Sequence, residues 1–298
     1  MYHNPVLLKK SVDDLVTNPD GIYVDCTFGG GGHSSEILSR LSAKGKLYAF
    51  DQDLDALKNT IDDPRFTLIN QNFRFLENAL MMYGVSKVDG VLADFGVSSH
   101  QFDEAERGFS TRSNAPLDMR MNVMQLLDAK KVINEYEEEH LADILYQYGE
   151  IRESRKLARE IVNHRKLKPI ETTEDLKKLF SYIPQFKQNK VFAQIFQAIR
   201  IEVNQELEVI KELLVQAHRM LKPGGRLVAI SYHSLEDRLV KRFLKNGMFE
   251  GEPARDIYGN YDKTFDLLQT KAVVPDSEEI KENSRSRSAK LRTGIKLK

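Results

Sequence analysis

The sequence has little cysteine and no long apolar run. Cys26 is the single cysteine among 298 residues, so no disulfide can form within the chain, which is typical of a reducing compartment. No stretch approaches the ~20 apolar residues that cross a membrane. The apolar run at residues 6–8 is too short for the core of a signal peptide. These absences predict a cytoplasmic protein without a membrane partner.

The sequence also lacks an excess of charge of either sign. Its 44 Lys and Arg residues balance 44 Asp and Glu residues, which weighs against a nucleic-acid partner because nucleic-acid-binding domains are usually basic. The balance fails locally, since residues 281–298 hold seven basic residues and one acid. Two interpretations of this C-terminal basic segment stay open: a solvated tail, or an arm that contacts phosphates.

Buried strands and amphipathic helices alternate in the first third of the chain. Strands are predicted at residues 21–26, 46–50, 66–69 and 88–93. Helices are predicted between them at residues 34–41, 53–61 and 75–83, the first with Ser34 or Ser35 as its N-cap. This alternation is typical of βαβ units, so the predicted fold class is α/β with a Rossmann-like parallel sheet.

The alternation stops near residue 98, where the chain becomes rich in loop-forming residues. From residue 123 to about residue 179 the periodicity is helical, and Thr172 with Asp175 forms a capping pattern. We therefore predict an inserted, all-helical domain over residues 106–203.

The sheet pattern then returns in the last third of the chain. We predict a helix over 204–221, a turn at residues 222–225, a strand over 226–231, a helix over 235–243 and final strand pairing within 265–274. Residues 1–105 and 204–298 are thus predicted to form one sheet domain around the insert.

Glycines and carboxylates follow the predicted strands, at the sheet edge where open parallel sheets bind ligands. Gly29–Gly32 follow the first strand and let the backbone approach a ligand closely. Asp51 follows the second strand, where a carboxylate can accept hydrogen bonds from both hydroxyls of a ribose. Phe73 follows the third strand and can flank an adenine, and Asp94 follows the fourth. The pattern predicts a nucleoside-containing cofactor.

Two cofactors suit this pattern. Gly29-x-Gly31-x-x-Ser34 is close to the glycine pattern that binds nicotinamide dinucleotides. S-adenosylmethionine uses the same turn and ribose acid, but it carries a sulfonium and no pyrophosphate. Carboxylates at Asp25 and Asp94 would repel a pyrophosphate and attract a cation, which favours S-adenosylmethionine.

Ordered short motifs run along nearly the whole chain. They are His3–Leu8, Asp25–Ser34, Asp94–Ser99, Arg107–Ser110, Pro116–Met121, Phe196–Leu207, Pro223–Leu227, His233–Arg238 and Arg285–Ser288. Together they resemble the bacterial ribosomal small-subunit RNA methyltransferase H family, also called MraW.

The resemblance implies a class I S-adenosylmethionine-dependent methyltransferase with a helical insert between the fourth and fifth strands. We predict that this insert recognises the RNA substrate. The resemblance also implies transfer of a methyl group to the exocyclic N4 amino group of a cytosine in the decoding region of 16S rRNA, within the small ribosomal subunit. The cofactor contacts that it implies are Gly31, Gly32, His33, Asp51, Phe73, Asp94 and Gln101.

The residue that accepts the proton is left open by the sequence. The cytosine amino nitrogen is a poor nucleophile because its lone pair is conjugated into the ring. Many amino-methyltransferases orient it with an Asp/Asn-Pro-Pro-aromatic loop, but Asp94–Ser99 contains neither proline. Asp94, Ser98 and His233 are the candidates for the catalytic role. Ser234 with Asp237 also fits a capping box.

The candidate RNA contacts combine cations with one aromatic ring. Tyr232 can stack on an unstacked base, and the arginines can bind phosphates or lie as solvated surface. The candidates are Arg107, Arg112, Arg120, Tyr232, Arg285 and Arg287. No metal site is predicted, because no set of Cys and His ligands surrounds Cys26.

Several alternatives stay open at this point. The chain can instead be a nicotinamide-dependent oxidoreductase, a non-catalytic RNA-binding module, or a methyltransferase of proteins or small molecules. The oligomeric state is also open, with a homodimer as one candidate.

Overall fold

The computed structural model of the chain describes residues 5–258 and 261–298, except for the side chain of Ser99. His3 and Asn4 of the first motif lie outside these residues. The chain divides into two compact units, residues 1–96 with 207–298, and residues 97–206. The insert predicted over 106–203 lies within the second unit, which begins earlier in the chain and ends slightly later.

The first unit contains one seven-stranded sheet in the order β3-β2-β1-β4-β5-β7-β6. Its strands are β1 Ile22–Asp25, β2 Lys46–Phe50, β3 Phe66–Ile69, β4 Val88–Asp94, β5 Leu221–Ser231, β6 Phe265–Leu267 and β7 Lys290–Lys296. The first five strands pair in parallel, and β7 is antiparallel to both β5 and β6. The predicted parallel sheet is confirmed for β1 to β5.

Twelve α-helices lie in the described part of the chain. They are α1 Leu8–Leu15, α2 Gly32–Arg40, α3 Leu76–Met82, α4 Ser99–Asp103, α5 Ala129–Glu135, α6 Glu138–Gln147, α7 Ser154–Arg165, α8 Thr173–Leu179, α9 Gln185–Asn204, α10 Glu206–Met220, α11 Ser234–Asn246 and α12 Ser277–Glu282. None of the helices described is long and apolar enough to span a membrane.

Helices cover both faces of the sheet, so its central strands are apolar on both sides. Successive residues of a strand point to opposite faces, and Val91 and Leu92 of β4 accordingly join two different core clusters. The Val91 cluster contains side chains of α3, α10 and α11, and the Leu92 cluster contains side chains of α1 and α2. This packing fixes the strand ends, and with them the side chains that follow each strand.

Three predicted helices of the first unit differ from those observed. Helix α2 begins at Gly32 with Gly31 as its N-cap, so the prediction of Ser34 or Ser35 at that position was wrong. The segment predicted as a helix over 53–61 is a 3₁₀ helix, Leu54–Asn59. The helix predicted from residue 75 begins as a 3₁₀ turn at Phe73–Phe75 and continues as α3.

The C-terminal basic segment is not a solvated tail. Its residues 290–296 form β7, which lies between β5 and β6 with Leu291 fully buried. In residues 290–293 half-buried cations alternate with the buried Leu291 and Thr293, a period of two that charge counting alone hid. Residues 222–225, predicted as a turn, form a bulge within β5 opposite Asp89.

The second unit is helical and has its own core. Apolar side chains of α5 to α9 pack together with Phe109, Leu117 and Met119 from the preceding loop. The capping box predicted at Thr172 and Asp175 is confirmed at the start of α8. The segment predicted as loop over 98–121 also contains α4 and a 3₁₀ turn at Ala105–Arg107.

Candidate active site

The carboxyl ends of β1, β2, β4 and β5 bring together polar side chains of the first unit. Asp25 is the last residue of β1, Asp51 directly follows β2, Asp94 is the last residue of β4, and Tyr232 directly follows β5. Because these strands are parallel and adjacent, their ends meet at one edge of the sheet. The sequence-predicted strand ends therefore lie together.

The glycine loop after β1 takes a backbone shape that favours glycine. Gly29 and Gly31 have φ values of 50° and 78°, in the left-handed region that L side chains rarely adopt. A Cβ on Gly32 would lie 2.2 Å from Cγ of Pro5, so this position has no room for a side chain unless Pro5 moves. Helix α2 starts directly after this loop, and its first backbone N–H groups lie beside the glycines.

The Asp51 carboxyl is hydrogen-bonded to the glycine loop, although its charged form is disfavoured. Its Oδ2 accepts a hydrogen bond from the N–H of Gly29 at 2.8 Å, and its Oδ1 accepts one from the N–H of Asp53 at 2.8 Å. Burial nevertheless raises the pKa of Asp51 to about 6, against the opposing effect of these two N–H groups. A ligand that donates hydrogen bonds to this carboxylate would stabilise the charged form.

Asp25 has both carboxyl oxygens engaged inside the protein. Its Oδ1 accepts from the N–H of Thr27 at 3.0 Å, and its Oδ2 accepts from the Ser34 hydroxyl at 2.7 Å. The Thr27 hydroxyl in turn accepts from the N–H of Asp94 at 2.8 Å. This fully buried carboxyl thus ties the first turn of α2 to the end of β1 and, through Thr27, to the end of β4. Its role is to hold the site's shape.

Asp94 lies between a phenol and an imidazole. Its Oδ1 accepts a hydrogen bond from the hydroxyl of Tyr232 at 2.8 Å, and its Oδ2 lies 4.0 Å from Nδ1 of His33. Burial raises the pKa of Asp94 to about 6, while His33 and the Tyr232 hydroxyl act in the opposite direction. Burial and the neighbouring Asp94 also raise the pKa of Tyr232 well above its ordinary value, so this hydroxyl is a donor at neutral pH. The sequence did not predict this contact.

His33 is held by the N-terminal segment, residues 5–8. Its Nε2 lies 3.2 Å from the carbonyl oxygen of Val6. The next residue, Leu7, has a φ of 51°, and its N–H donates to Oε1 of Glu279 at 2.6 Å. Glu279 lies in α12, far along the chain, and no motif or spacing in the sequence indicates its contact with Leu7.

Phe73 lies in the 3₁₀ turn after β3, partly buried against the core, with its ring centroid 6.3 Å from that of Phe95. The turn is fixed by Asn72, whose side chain accepts from the N–H of Arg74 at 2.9 Å. Arg74 donates to both carboxyl oxygens of Glu212 at 2.8 and 2.7 Å. These contacts fix the backbone that carries the Phe73 ring.

His233 is the N-cap of α11, so the capping box predicted at Ser234 and Asp237 was placed one residue too late. The Glu236 carboxylate accepts from the backbone N–H groups of Tyr232 and His233 at 2.7 and 3.2 Å. Asp237 binds Arg292 of β7 instead, at 2.6 Å. Glu236 therefore fixes the turn that carries the Tyr232 ring.

The family model described as the MraW methylase family matches residues 1–297. The chain belongs to the MraW methylase family. Membership agrees with the sheet order, and the predicted class I S-adenosylmethionine-dependent methyltransferase fold is confirmed.

Members of this family resemble the chain over its whole length. The ribosomal RNA small subunit methyltransferase H of Christiangramia forsetii is 62% identical over 297 residues, which cover 99% of this chain and 98% of that protein. The protein of the same name from Flavobacterium johnsoniae is 60% identical with the same coverage. Among solved structures, an rRNA methylase from Streptococcus thermophilus covers 97% of this chain and 93% of its own at 13% identity, with a TM-score of 0.40.

Two candidate site residues of this family member lie in the second unit. Ser98 is the N-cap of α4, and its hydroxyl accepts from the N–H of Gln101 at 3.1 Å. The Gln101 side chain accepts in return from the N–H of Ser98 at 3.1 Å. Both residues therefore fix the start of α4, and their roles toward cofactor and substrate stay predictions.

The three candidate arginines of the second unit differ in their environments. Arg120 donates to both oxygens of Asp118 and to the carbonyls of Val123 and Gln125. Arg107 donates to the carbonyls of residues 120 and 121. Arg112 is exposed. Arg107 and Arg120 thus organise their own loop.

The remaining two candidate arginines, Arg285 and Arg287, lie in a 3₁₀ helix, Ser284–Ser288, of the first unit. Arg285 is half-buried and Arg287 is exposed. Contact of either with RNA stays a prediction.

Proposed function

We propose that this protein transfers a methyl group from S-adenosylmethionine to the N4 amino group of a cytosine in the decoding region of 16S rRNA. The observation that carries the proposal is that two carboxyls, Asp51 after β2 and Asp94 at the end of β4, lie beside a glycine loop in a chain of the MraW methylase family. Both carboxyls have a pKa of about 6. The names of the relatives specify small-subunit ribosomal RNA. We also infer that the protein acts in the cytoplasm.

The residues of the first unit fit S-adenosylmethionine by their chemistry. Asp51 is a half-buried acceptor suited to ribose hydroxyls, and Phe73 offers a ring to the adenine. The first turn of α2, which begins at Gly32 directly after Gly31, is the proposed site of the methionine carboxylate, because helix N-termini attract anions. Asp94 and His33 would lie near the ammonium and sulfonium end. The cofactor contact of Gln101, which the family resemblance implies, stays a prediction.

Two incompletely stabilised carboxylates also distinguish a sulfonium from a pyrophosphate. Burial disfavours the charged forms of Asp51 and Asp94, so a nearby cation is favourable and an anion is costly. This argues for S-adenosylmethionine over a nicotinamide dinucleotide.

The reaction needs an oriented amino group and an acceptor for one proton. When bound, S-adenosylmethionine supplies an electrophilic methyl group on a positively charged sulfur. We infer that Asp94 would accept a hydrogen bond from the cytosine amino group and take its proton as the methyl group passes from sulfur to nitrogen, the electron pair of the broken sulfur–carbon bond staying on the sulfur. The Tyr232 hydroxyl, 2.8 Å from Oδ1, occupies that oxygen, so Oδ2 is the proposed acceptor of the amino proton. Positioning of this kind supplies up to roughly 7–11 kcal/mol in ideal cases.

Mass spectrometry of 16S rRNA tests the proposed substrate. RNA from cells that lack this protein should contain an unmodified cytosine where wild-type cells carry N4-methylcytosine, and the wild-type gene should restore the methyl group. Purified protein should transfer labelled methyl groups from S-adenosylmethionine to small subunits from the deficient cells. Unchanged rRNA in the deficient cells would disprove the proposal.

Ligand binding tests the cofactor separately. In a thermal-shift assay, S-adenosylmethionine should raise the unfolding temperature, because a ligand that binds only the folded state stabilises it. NAD at the same concentration should leave it unchanged. The reverse result would support an oxidoreductase.

A further inference from the structure

Charge is strongly segregated along the sequence of the second unit. Residues 103–150 hold eleven acids against five Lys and Arg residues, a net of −6, whereas residues 151–190 hold eleven Lys and Arg residues against five acids, a net of +6. The overall neutrality of the chain hides this separation. The basic stretch includes α7, α8 and the start of α9.

Helix α7 presents cations on its solvent face. Arg155, Lys156 and Arg159 are exposed, whereas Leu157 and Ile161 on the opposite face belong to the core of the unit. Arg159 forms a 3.4 Å ion pair with Glu138, but its side chain remains 68% exposed. Exposed pairs of this kind contribute little stability, so they do not explain a row of three cations.

One aromatic ring lies beside Lys156, and a second lies beside Lys187 at the start of α9. The Tyr182 ring centroid is 4.9 Å from Nζ of Lys156, and the Tyr182 hydroxyl donates to Oε2 of Glu160 at 2.8 Å, so this ring is fixed against α7. Phe186, in the first turn of α9, is 82% exposed, with Nζ of Lys187 5.5 Å from its ring centroid. Most of the apolar surface of the Phe186 ring is therefore exposed to solvent.

We propose that this basic–aromatic surface, formed by Arg155, Lys156, Arg159, Tyr182, Phe186 and Lys187, binds a single-stranded segment of the RNA substrate. Cations that bind phosphates, interleaved with aromatic rings that stack on bases, are the arrangement that single-stranded RNA requires. The inference rests on the proposed function, which supplies the polyanion. It assigns phosphate binding to α7 and the start of α9, since Arg107 and Arg120 are engaged within their own loop.

Neutralising the surface tests the phosphate contacts. The variant Arg155→Gln with Lys156→Gln and Arg159→Gln should bind a 16S rRNA transcript about 10-fold or more weakly at about 0.15 M salt. The slope of log Kd against log salt should fall by about 2, because each single-strand phosphate contact contributes about 0.7. The matched control removes three exposed lysines of the first unit, Lys44→Gln, Lys46→Gln and Lys271→Gln, and should keep the wild-type slope.

Phe186 tests the stacking contact. Phe186→Ala should weaken binding of the same transcript by about 5-fold or more, whereas Phe186→Tyr should retain affinity, because base stacking needs the ring and not its edge chemistry. Both variants should keep the salt slope of the wild-type protein. Equal affinity of the alanine and tyrosine variants for the transcript would exclude Phe186 from the proposed RNA-binding surface.

Separate readouts keep this inference distinct from the proposed function. Affinity for S-adenosylmethionine and the unfolding temperature should be unchanged in the three-glutamine variant. If wild-type protein methylates small subunits but this variant binds the transcript like the control, the inference is wrong and the proposed function stands. If the variant loses affinity only for assembled subunits and not for naked transcript, the surface binds protein, which also overturns the inference.

Discussion

At the scale of single residues, the carboxyl of Asp94 decides how the activity depends on pH. The proposed acceptor is its charged form, and its pKa is about 6. The kcat/KM for methyl transfer, which reports the pKa of the free enzyme, should therefore fall as the pH falls through about 6 and reach a plateau by about pH 8. Asp94→Asn should reduce kcat by about 10²–10⁴-fold and abolish the pH dependence in this range.

Tyr232→Phe provides a matched control for this prediction. The Tyr232 hydroxyl stabilises the charged carboxyl, so its removal should raise the pKa of Asp94 and move the midpoint of the kcat/KM profile to higher pH. Single-turnover methyl transfer across the pH range measures both effects. A midpoint that stays fixed in Tyr232→Phe would exclude Asp94 as the titrating group.

We expect that the charged Asp51 carboxyl lowers the free energy of unfolding but raises the affinity for the cofactor. A carboxyl whose pKa is raised on folding destabilises the charged folded protein, and this cost disappears as the pH falls through the raised pKa. In Asp51→Asn, the gain in unfolding free energy relative to wild type should shrink by up to about 3 kcal/mol between pH 8 and pH 4. Affinity for S-adenosylmethionine should fall by about 10-fold or more. Urea unfolding and calorimetric titration measure the two effects, and tighter cofactor binding by the variant would contradict this account.

At the scale of elements, helix α12 holds the N-terminal segment in place. Glu279→Ala leaves the N–H of Leu7 without its charged acceptor, which loosens the chain that contacts His33 and Gly32. We expect weaker binding of S-adenosylmethionine by about 5-fold or more. Glu279→Gln keeps an acceptor oxygen and should retain most of the affinity. Equal losses in the two variants would instead indicate a general loss of charge at this position.

Strand β7 explains why deletion cannot test RNA binding by the C-terminal basic segment. Removing residues 285–298 takes away a strand that pairs with both β5 and β6 and buries Leu291. We expect this truncated chain to lose cooperative unfolding and cofactor binding together, as measured by circular dichroism and calorimetry. The double variant Arg285→Gln with Arg287→Gln should keep cooperative unfolding and cofactor binding. Its affinity for RNA therefore tests the two arginines separately from the strand.

The sequence predicted those elements whose patterns are local. Strands β2 and β3 match their predicted bounds because compact apolar runs end at Asp51 and near Asn70. The same logic placed Asp51 and Asp94 at strand ends, where the structure has them. Strand β7 was missed because its cations suggested a solvated segment, and the N-cap of α2 was missed because Gly31 caps by its backbone shape and not by a side chain.

The contacts that complete the site could not be predicted from the sequence, for a different reason. Tyr232 lies 138 residues from Asp94, and Glu279 lies 272 residues from Leu7, so no spacing or periodicity connects them. Their partners follow from the order of strands in the sheet and from the docking of α12. The capping box of Thr172 and Asp175, by contrast, joins two residues three positions apart and was predicted from the sequence.

At the scale of the whole molecule, one unit is continuous in sequence and the other is not. Residues 97–206 form a complete unit, whereas the sheet needs strands from both sides of them. The entire helical unit therefore emerges from the ribosome before β5 does. The helical unit can therefore fold first, while β4 waits with one edge unpaired until residues 221–231 emerge. A stalled, incomplete chain would thus expose an open sheet edge that promotes aggregation.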